Sequence, residues 1–149
     1  MGRPPLPGWD EGREEQVQGK DDKVKLAKRV QDLEVYKLSL ETAMKIFEIT
    51  KSFPLEEKYS LTDQIRRSSR SVCTNLAEGW RKRKYKAVFV NKLLDAAQEA
   101  AETQTWLEFA ERCGYISGET FDGLYEKYEH IFAMLNNMEK KAEAFCGSV

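Results

Sequence analysis

The stretch of sequence that decides the fold is residues 61–79, which read LTDQIRRSSRSVCTNLAEG. Four apolar residues recur in it in steps of four and seven: Leu61, Ile65, Val72 and Leu76. This spacing is that of one face of an α-helix. Ser68 and Ser69 fall on the same face, where small side chains let a neighbouring helix approach closely. The stretch therefore predicts an amphipathic helix with an apolar seam.

Positive charge is denser in this region than elsewhere in the chain. Cationic residues flank the apolar seam and continue beyond Gly79: Arg66, Arg67, Arg70, Arg81, Lys82, Arg83, Lys84 and Lys86. Between the first and the last of these, the only acidic residue is Glu78. Because the formal net charge of the whole chain is −1, the positive charge is a local feature. A local cationic surface is the kind that attracts a polyanion.

The composition indicates one soluble, helix-rich domain. The chain has 149 residues, of which 41% are hydrophobic and 33% are charged, and this length is sufficient for a single domain with its own core. Four prolines occur, and three of them lie within the first seven residues. The remainder of the chain is therefore free to form long helices.

Cysteine usage and hydropathy favour a cytoplasmic protein. Cys73, Cys113 and Cys146 are an odd set without metal-ligand spacing, which is typical of free thiols in a reducing compartment. No apolar run approaches the roughly 20 residues that cross a bilayer, and the N-terminus lacks the apolar centre of a signal peptide. There is no glycine-rich phosphate loop and no Cys/His metal set, so we expect no cofactor and no metal.

The sequence predicts an N-terminal tail over residues 1–30 and a helical domain over residues 31–146. The tail is rich in proline, glycine and charge, and this composition does not bury enough apolar surface to offset the cost of ordering. Four helices are predicted in the domain, over residues 32–52, 60–79, 85–113 and 118–145. The second helix begins between residues 56 and 60. Short connections favour an up-down-up-down bundle.

Helix boundaries follow from capping and breaking residues. The predicted signals are an N-cap at Asp32, a stop at Phe53-Pro54, a C-cap at Gly79, a stop at Gly114 and an N-cap at Ser117. The apolar stripe predicted for the first helix is Leu33, Tyr36, Leu40, Met44 and Phe47, with Ile46 as an optional further member.

Several short motifs of the chain resemble one known family. They are DLEVY at 32–36, LTDQIRR at 61–67, SV at 71–72, NLAEG at 75–79, ETQ at 102–104, WLE at 106–108, GYI at 114–116 and ML at 134–135. In this order and spacing they resemble the bacterial four-helix-bundle proteins encoded in intervening sequences of 23S ribosomal RNA genes. The resemblance covers residues 31–146 and leaves the N-terminal tail outside it.

The resemblance implies an all-α, left-handed antiparallel four-helix bundle that assembles as a homopentamer. Members of the family lack an established enzymatic activity. A more distant relative, the accessory protein of diversity-generating retroelements, shares the pentameric bundle and binds nucleic acid and a reverse transcriptase. Fold transfers between relatives more safely than function does.

The cationic residues are the candidate nucleic-acid site, because arginine offers a planar fork to phosphates and stacks on exposed bases. Trp80 and Tyr85 flank the second run and are candidates for base stacking, or else pack on the end of the bundle. The alternative for Arg66, Arg67 and Arg70 is pairing with acids of a neighbouring helix or subunit. The acids available for that pairing are Glu99, Glu102, Glu108 and Glu111.

Other polar and aromatic residues have structural interpretations. We expect Glu78 to meet a basic residue across an interface and Asn75 to satisfy backbone groups at the helix end. Trp106 is expected to pack in the core or between subunits. His130 is the only histidine, and no arginine lies close upstream of it, which argues against a helical ribonuclease that pairs the two residue types.

These observations predict a non-enzymatic, nucleic-acid-binding protein, with RNA as the expected ligand and no catalytic residues. The other class that fits is a protein-interaction scaffold, for example an accessory subunit of a reverse transcriptase. In that case the positive charge steers association and does not recognise nucleic acid.

Overall fold

The computed structural model describes residues 27–147, and every regular element in that range is helical. The α-helices are α1 Glu34–Thr50, α2 Leu61–Arg81, α3 Lys86–Arg112, α4 Gly118–Lys140 and the short α5 Ala142–Cys146. Two 3-10 turns, Val30–Asp32 and Leu55–Glu57, precede α1 and α2. The prediction of an all-α protein is confirmed.

The four long helices share one hydrophobic core. Helix α2 packs against α1 and α3, and α4 packs against α3 and α1. The largest fully buried apolar side chains come from all four helices: Ile46, Ile65, Phe89, Leu107, Tyr128 and Ile131. A smaller cluster of Phe53, Leu61 and Ala110 closes one end of the helices.

Helix α2 buries the seam that its sequence predicts. Leu61, Ile65, Val72 and Leu76 are all buried, and so are Ser68 and Ser69. The hydroxyl of Ser68 is hydrogen-bonded to that of Thr103 on α3 at 2.7 Å. The small serine side chains therefore let the two helices approach closely, and the buried hydroxyl groups of Ser68 and Thr103 satisfy each other.

The predicted C-cap at Gly79 is wrong, because α2 continues to Arg81. Gly79 is buried inside the helix, and a Cβ atom at this position would lie 2.8 Å from Cβ of Lys92 on α3. The glycine is thus required by the close approach of two helices. Tertiary packing, and not the preference of glycine for a helix end, explains why glycine occupies this position.

The start of α1 also differs from the prediction. Asp32 belongs to the 3-10 turn, and Leu33 is the residue that precedes α1. The Asp32 carboxylate accepts the backbone N–H groups of Lys28 at 3.2 Å and Arg29 at 3.1 Å. The Arg29 and Lys28 amides lower the pKa of this carboxyl group. Asp32 therefore caps the preceding turn instead of the helix.

The buried face of α1 is rotated from the predicted stripe. Leu40 and Met44 are 46% and 52% exposed. The residues of α1 that are buried include small and hydroxyl side chains: Val35, Ser39, Thr42, Ala43, Ile46 and Thr50. The prediction for Leu40 and Met44 is wrong, because smaller residues of α1 face the other helices, and a large apolar side chain does not by itself mark the buried face.

The connection from α3 to α4 follows the predicted signals. Gly114 has φ of 78°, a left-handed conformation that glycine adopts without steric cost. Ser117 Oγ accepts the backbone N–H of Thr120 at 3.0 Å and so caps α4. The predicted fourth helix is interrupted at Lys141, after which α5 begins.

The described chain begins inside the predicted tail. Val30 is 8% exposed and belongs to the core, and Ala27 packs against it. Residues 27–30 therefore belong with the helices, while the part of the predicted tail over residues 1–26 lies outside the described residues.

The three cysteines are free thiols. Cys73 is buried, Cys146 is half-buried and Cys113 is exposed. Burial raises the pKa of the Cys73 thiol to about 11. Burial also raises the pKa of Cys146. Cys113, directly after α3, is therefore the most accessible of the three thiols.

Candidate nucleic-acid interface

The connection between α2 and α3 carries exposed positive charge. We call the exposed cations Arg81, Lys82 and Lys84 the connection cations. Over residues 27–147, none of the three forms an ion pair with a carboxylate. A continued helix would place Lys82 and Lys86 four residues apart on one face, and like charges at that spacing destabilise a helix. The dense positive charge thus favours an end to the helix between Arg81 and Lys86, where these side chains are exposed.

Trp80 and Arg83 are anchored to the body of the protein. Trp80 is 3% exposed, and its indole N–H donates to the carbonyl of Lys28 at 3.3 Å. The guanidinium of Arg83 lies 4.0 Å from the centre of the indole and donates to the Trp80 carbonyl at 2.9 Å. Burial lowers the pKa of Arg83. The prediction that Trp80 stacks on bases needs correction, because its ring is already covered.

Tyr85 and Lys86 have different surroundings at the start of α3. Tyr85 is 56% exposed, and Lys84 Nζ lies 5.0 Å from the centre of its ring. Lys86 forms an ion pair with Glu143 of α5. The hydrogen bond to Glu143 raises the pKa of Lys86. Tyr85 is thus open to a ligand, whereas a carboxylate compensates the charge of Lys86.

A second group of cations lies between α1 and α2. We call Phe47, Lys51, Arg66 and Arg70 the Phe47 cluster. The charged groups of Lys51, Arg66 and Arg70 lie 4.9, 4.8 and 5.7 Å from the centre of the Phe47 ring. Nε of Arg66 also donates to Thr50 Oγ1 at 2.8 Å. Three cations therefore converge on one aromatic ring.

For Arg66 and Arg70, this arrangement differs from the alternative of pairing with acids of a neighbouring helix. In the part of the chain that the structure describes, Arg66 and Arg70 lie near the Phe47 ring, Arg66 also donates to Thr50, and neither arginine forms an ion pair. Arg67 lies 3.9 Å from Asp63 on its own helix. Burial raises the pKa of Glu99, and the charge of Arg67 acts in the opposite direction.

The Phe47 ring and Lys51 were missed as members of the site. Phe47 belongs to the apolar stripe predicted for the first helix, and the sequence pattern assigns no role to Lys51. Their spacing of four residues puts them on one face of a helix, and this signal is visible in the sequence. The approach of Arg66 and Arg70 from another helix is visible only in the structure.

The remaining predicted residues make local contacts. Glu78 Oε2 and Lys92 Nζ are 2.8 Å apart and link α2 to α3. Asn75 Nδ2 donates to the Ser71 carbonyl at 2.9 Å, within α2 and not at its end. Trp106 is half-buried, and its indole N–H donates to Glu102 Oε1 at 3.3 Å.

Within residues 27–147, no helix has the length and apolar character needed to cross a membrane. Nor do His, Cys, Asp and Glu side chains gather there in a group of three that would hold a metal ion.

Comparison with known proteins identifies the family. No curated protein matches the chain. Among solved structures, the chain is similar to a protein of unknown function from the S23 ribosomal protein family of Bacteroides thetaiotaomicron VPI-5482, with 34% identity and a TM-score of 0.65. The match covers 71% of this chain and 98% of that one. The family model described as 23S rRNA-intervening sequence protein matches residues 31–137. The chain belongs to the 23S rRNA-intervening sequence protein family.

Proposed function

We propose that this protein binds nucleic acid through the connection cations and has no catalytic role in doing so. The observation that carries the proposal is the exposure of Arg81, Lys82 and Lys84 without a carboxylate partner in the range 27–147. Cations that are free of internal partners release counterions from a phosphate backbone when they contact it, and this release drives association. Tyr85 supplies an exposed ring beside them for stacking on an unpaired base.

RNA is the ligand that we propose first. The matched family is described by reference to 23S rRNA. In addition, an exposed aromatic ring next to phosphate-binding cations suits unpaired bases, which are the usual targets of sequence recognition in RNA. DNA of the same length and strandedness serves as the comparison ligand.

The proposed assembly is a left-handed antiparallel bundle that forms a homopentamer. Contacts between α2 and α3 support antiparallel helices, because Glu78 pairs with Lys92 and Ser68 with Thr103. The residue numbers of the paired positions thus increase along α2 as they decrease along α3. The apolar side chains of Leu40 and Met44, exposed on α1, support a further contact between copies. Assembly would repeat the connection cations five times and raise avidity for a long polyanion.

The test is the binding of labelled RNA over a range of salt concentrations. The triple variant Arg81→Glu, Lys82→Glu and Lys84→Glu is expected to lose at least tenfold in affinity at low salt. The control variant Lys45→Glu, Lys58→Glu and Arg112→Glu has the same change in net charge on other surfaces and should keep most of the affinity. Equal losses in both variants would show that net charge, and not the connection, attracts RNA. Recovery of intact RNA after incubation tests the absence of a catalytic role.

A protein-interaction scaffold is the second candidate function, for example an accessory subunit of a reverse transcriptase. The favouring observation is an apolar pair on the segment between α1 and α2, where Leu55 and Tyr59 are 83% and 84% exposed. Exposed apolar side chains of this kind mark contacts with other proteins. If the wild-type protein retains neither RNA nor DNA at low salt, the scaffold is the better description.

A further inference from the structure

The Phe47 cluster is a second cationic group that is separate from the α2–α3 connection. The guanidinium groups of its two arginines lie 4.8 and 5.7 Å from the centre of one ring and, within residues 27–147, form no ion pair. Lys51, the third cation, lies 3.2 Å from Glu48 on its own helix. The charge of the two guanidinium groups is therefore left uncompensated by acids in the described chain.

We propose that Arg66 and Arg70 form a second phosphate site, which holds the same nucleic-acid strand as the connection cations. This inference rests on the proposed function and deepens it, because it specifies the ligand as a continuous phosphodiester strand that reaches both sites. A short oligonucleotide reaches one site at a time.

The two guanidinium groups are held ready for an anion. Phe47 has no side-chain oxygen or nitrogen to accept a hydrogen bond, so its contact with the two guanidinium groups leaves their N–H donors available. The bond from Arg66 Nε to Thr50 Oγ1, 2.8 Å long, uses one of the five N–H donors of that group. The remaining donors suit two parallel hydrogen bonds to a phosphate. Because the side chains are already positioned, phosphate binding costs less side-chain conformational entropy.

The two sites lie on the same side of α2. Arg70 and Arg81 are eleven residues apart in one uninterrupted helix, which is about three turns and about 16 Å along the axis. A whole number of turns brings both side chains to one face. The acid nearest to the path between them, Glu78, is paired with Lys92 at 2.8 Å. A strand that follows this face thus meets no unpaired carboxylate of α2 between the sites.

The separation sets the length of the ligand. A stacked nucleic-acid strand carries one phosphate per about 3.4 Å, so about 16 Å corresponds to about five phosphates. A trinucleotide has two phosphodiester groups and contacts one site, whereas a strand of twelve nucleotides spans both. We therefore expect affinity to rise steeply with length between these limits.

The experiment measures the affinities of the full chain for a labelled oligoadenylate trimer and a dodecamer, whose bases stack, over a range of salt concentrations. The variant Arg66→Gln with Arg70→Gln should weaken dodecamer binding about tenfold and reduce its salt slope by about one. Binding of the trimer at the connection should change less than twofold. The single variant Arg70→Gln keeps the bond between Arg66 and Thr50, and it should show a smaller loss in the same direction. A control variant, Lys45→Gln with Arg112→Gln, removes two positive charges elsewhere and should bind both ligands as the wild type does.

Each outcome decides between the proposals. If the connection variant loses dodecamer binding while both Phe47-cluster variants match the wild type, the second site is refuted and the proposed function stands. If a properly folded wild type binds no oligonucleotide at low salt, the proposed function and the second site are both refuted. An equal loss of trimer and dodecamer binding in the Phe47-cluster variants would refute the length requirement, because it would mean that the sites act on the same few phosphates.

Discussion

At the scale of single residues, Gly79 decides how closely α2 and α3 approach. It is a helical glycine with the Cβ atom of Lys92 directly opposite. Alanine is the better helix former by about 1 kcal/mol in an exposed helix. Here the added methyl group would overlap an atom next to the backbone of α3, and this atom does not move independently of its helix.

We therefore expect Gly79→Ala to destabilise the protein by about 1–3 kcal/mol, because forced overpacking outweighs the gain in helix propensity. Urea denaturation followed by circular dichroism measures the difference. The matched control is Gly123→Ala in α4, where no atom lies within 4 Å of the added Cβ and a gain of up to about 1 kcal/mol is expected. If both substitutions stabilise the protein equally, the close approach at Gly79 is not a constraint.

The second residue-scale feature is the hydrogen bond between Tyr115 and Glu57. The Tyr115 hydroxyl donates to the Glu57 carboxylate at 2.8 Å. This bond raises the pKa of Tyr115 to about 12. The hydrogen bonds from Ser60 and then Tyr115 lower the pKa of Glu57. An acid whose folded pKa is raised stabilises the fold while it is protonated. The contribution of Tyr115 is therefore complete below about pH 10, the ordinary tyrosine pKa, and is lost as the pH rises through the folded value.

Ultraviolet absorbance of tyrosinate against pH tests this assignment. Glu57→Gln removes the charged acceptor, and we expect one tyrosine to shift its titration downwards from about 12 towards about 10. Tyr115→Phe should remove the same titrating group and leave the remaining curve unchanged. An unchanged titration in Glu57→Gln would contradict the assignment.

Trp80 shows what a residue-level pattern leaves open. Its place beside a basic run is compatible with stacking on bases or with packing on the end of the bundle. The structure gives packing, since Lys28 and Phe145 contact the indole from parts of the chain distant in sequence. No local pattern contains that information, because it depends on where three separate segments meet.

At the scale of elements, the positions of the helices along the sequence were predictable. Which face of α1 is buried was not predictable. Helix α2 has large apolar residues on one face only, so its buried side could be identified from spacing. Helix α1 has apolar residues on two faces. Ile46 is fully buried, whereas Leu40 is 46% exposed. Periodicity alone does not choose between two apolar faces, and contact with α2 and α4 makes that choice.

The same reasoning applies to the candidate site. The connection cations follow from a charge run next to a helix end, and that part was predictable from sequence. The Phe47 cluster depends on the contact between α1 and α2, so its members come together only in three dimensions. The pairing of Lys86 with Glu143 likewise depends on α5 folding back onto the start of α3.

Helix α5 limits the charge of the connection through Glu143. Glu143→Gln would remove a negative charge and release Lys86 from its partner. We expect tighter RNA binding at low salt, and a salt slope that is steeper by up to about one as Lys86 contacts an additional phosphate. Filter binding of RNA at several salt concentrations measures both quantities.

The control for this prediction is Glu108→Gln, which changes charge equally near the end of α3 that is distant from the connection. It should leave the salt slope as it is in the wild type. A similar gain in both variants would attribute the effect to net charge, and weaker binding in Glu143→Gln would show that the ion pair is needed to shape the connection.

At the scale of the whole molecule, the proposed pentamer predicts a solution mass of five times the 17.2 kDa of one chain. Multi-angle light scattering of the full chain measures this mass directly. If Leu40 and Met44 lie between copies, changing both to Glu should lower the mass and retain the helical circular dichroism, because neither side chain fills the core of one chain. A monomeric wild type would contradict the pentamer, and an unchanged mass in the variant would place the contact on another face.

Helix α3 has a practical consequence for such measurements. It has 27 residues and is about 40 Å long, with the basic connection before its first residue and Cys113 directly after its last. Since Cys73 is buried and Cys146 is half-buried, a maleimide reagent should modify the exposed Cys113 first. A biosensor surface or a fluorophore attached there would leave the cationic end pointing away from the support. Cys113 thus provides a natural attachment site for oriented immobilisation.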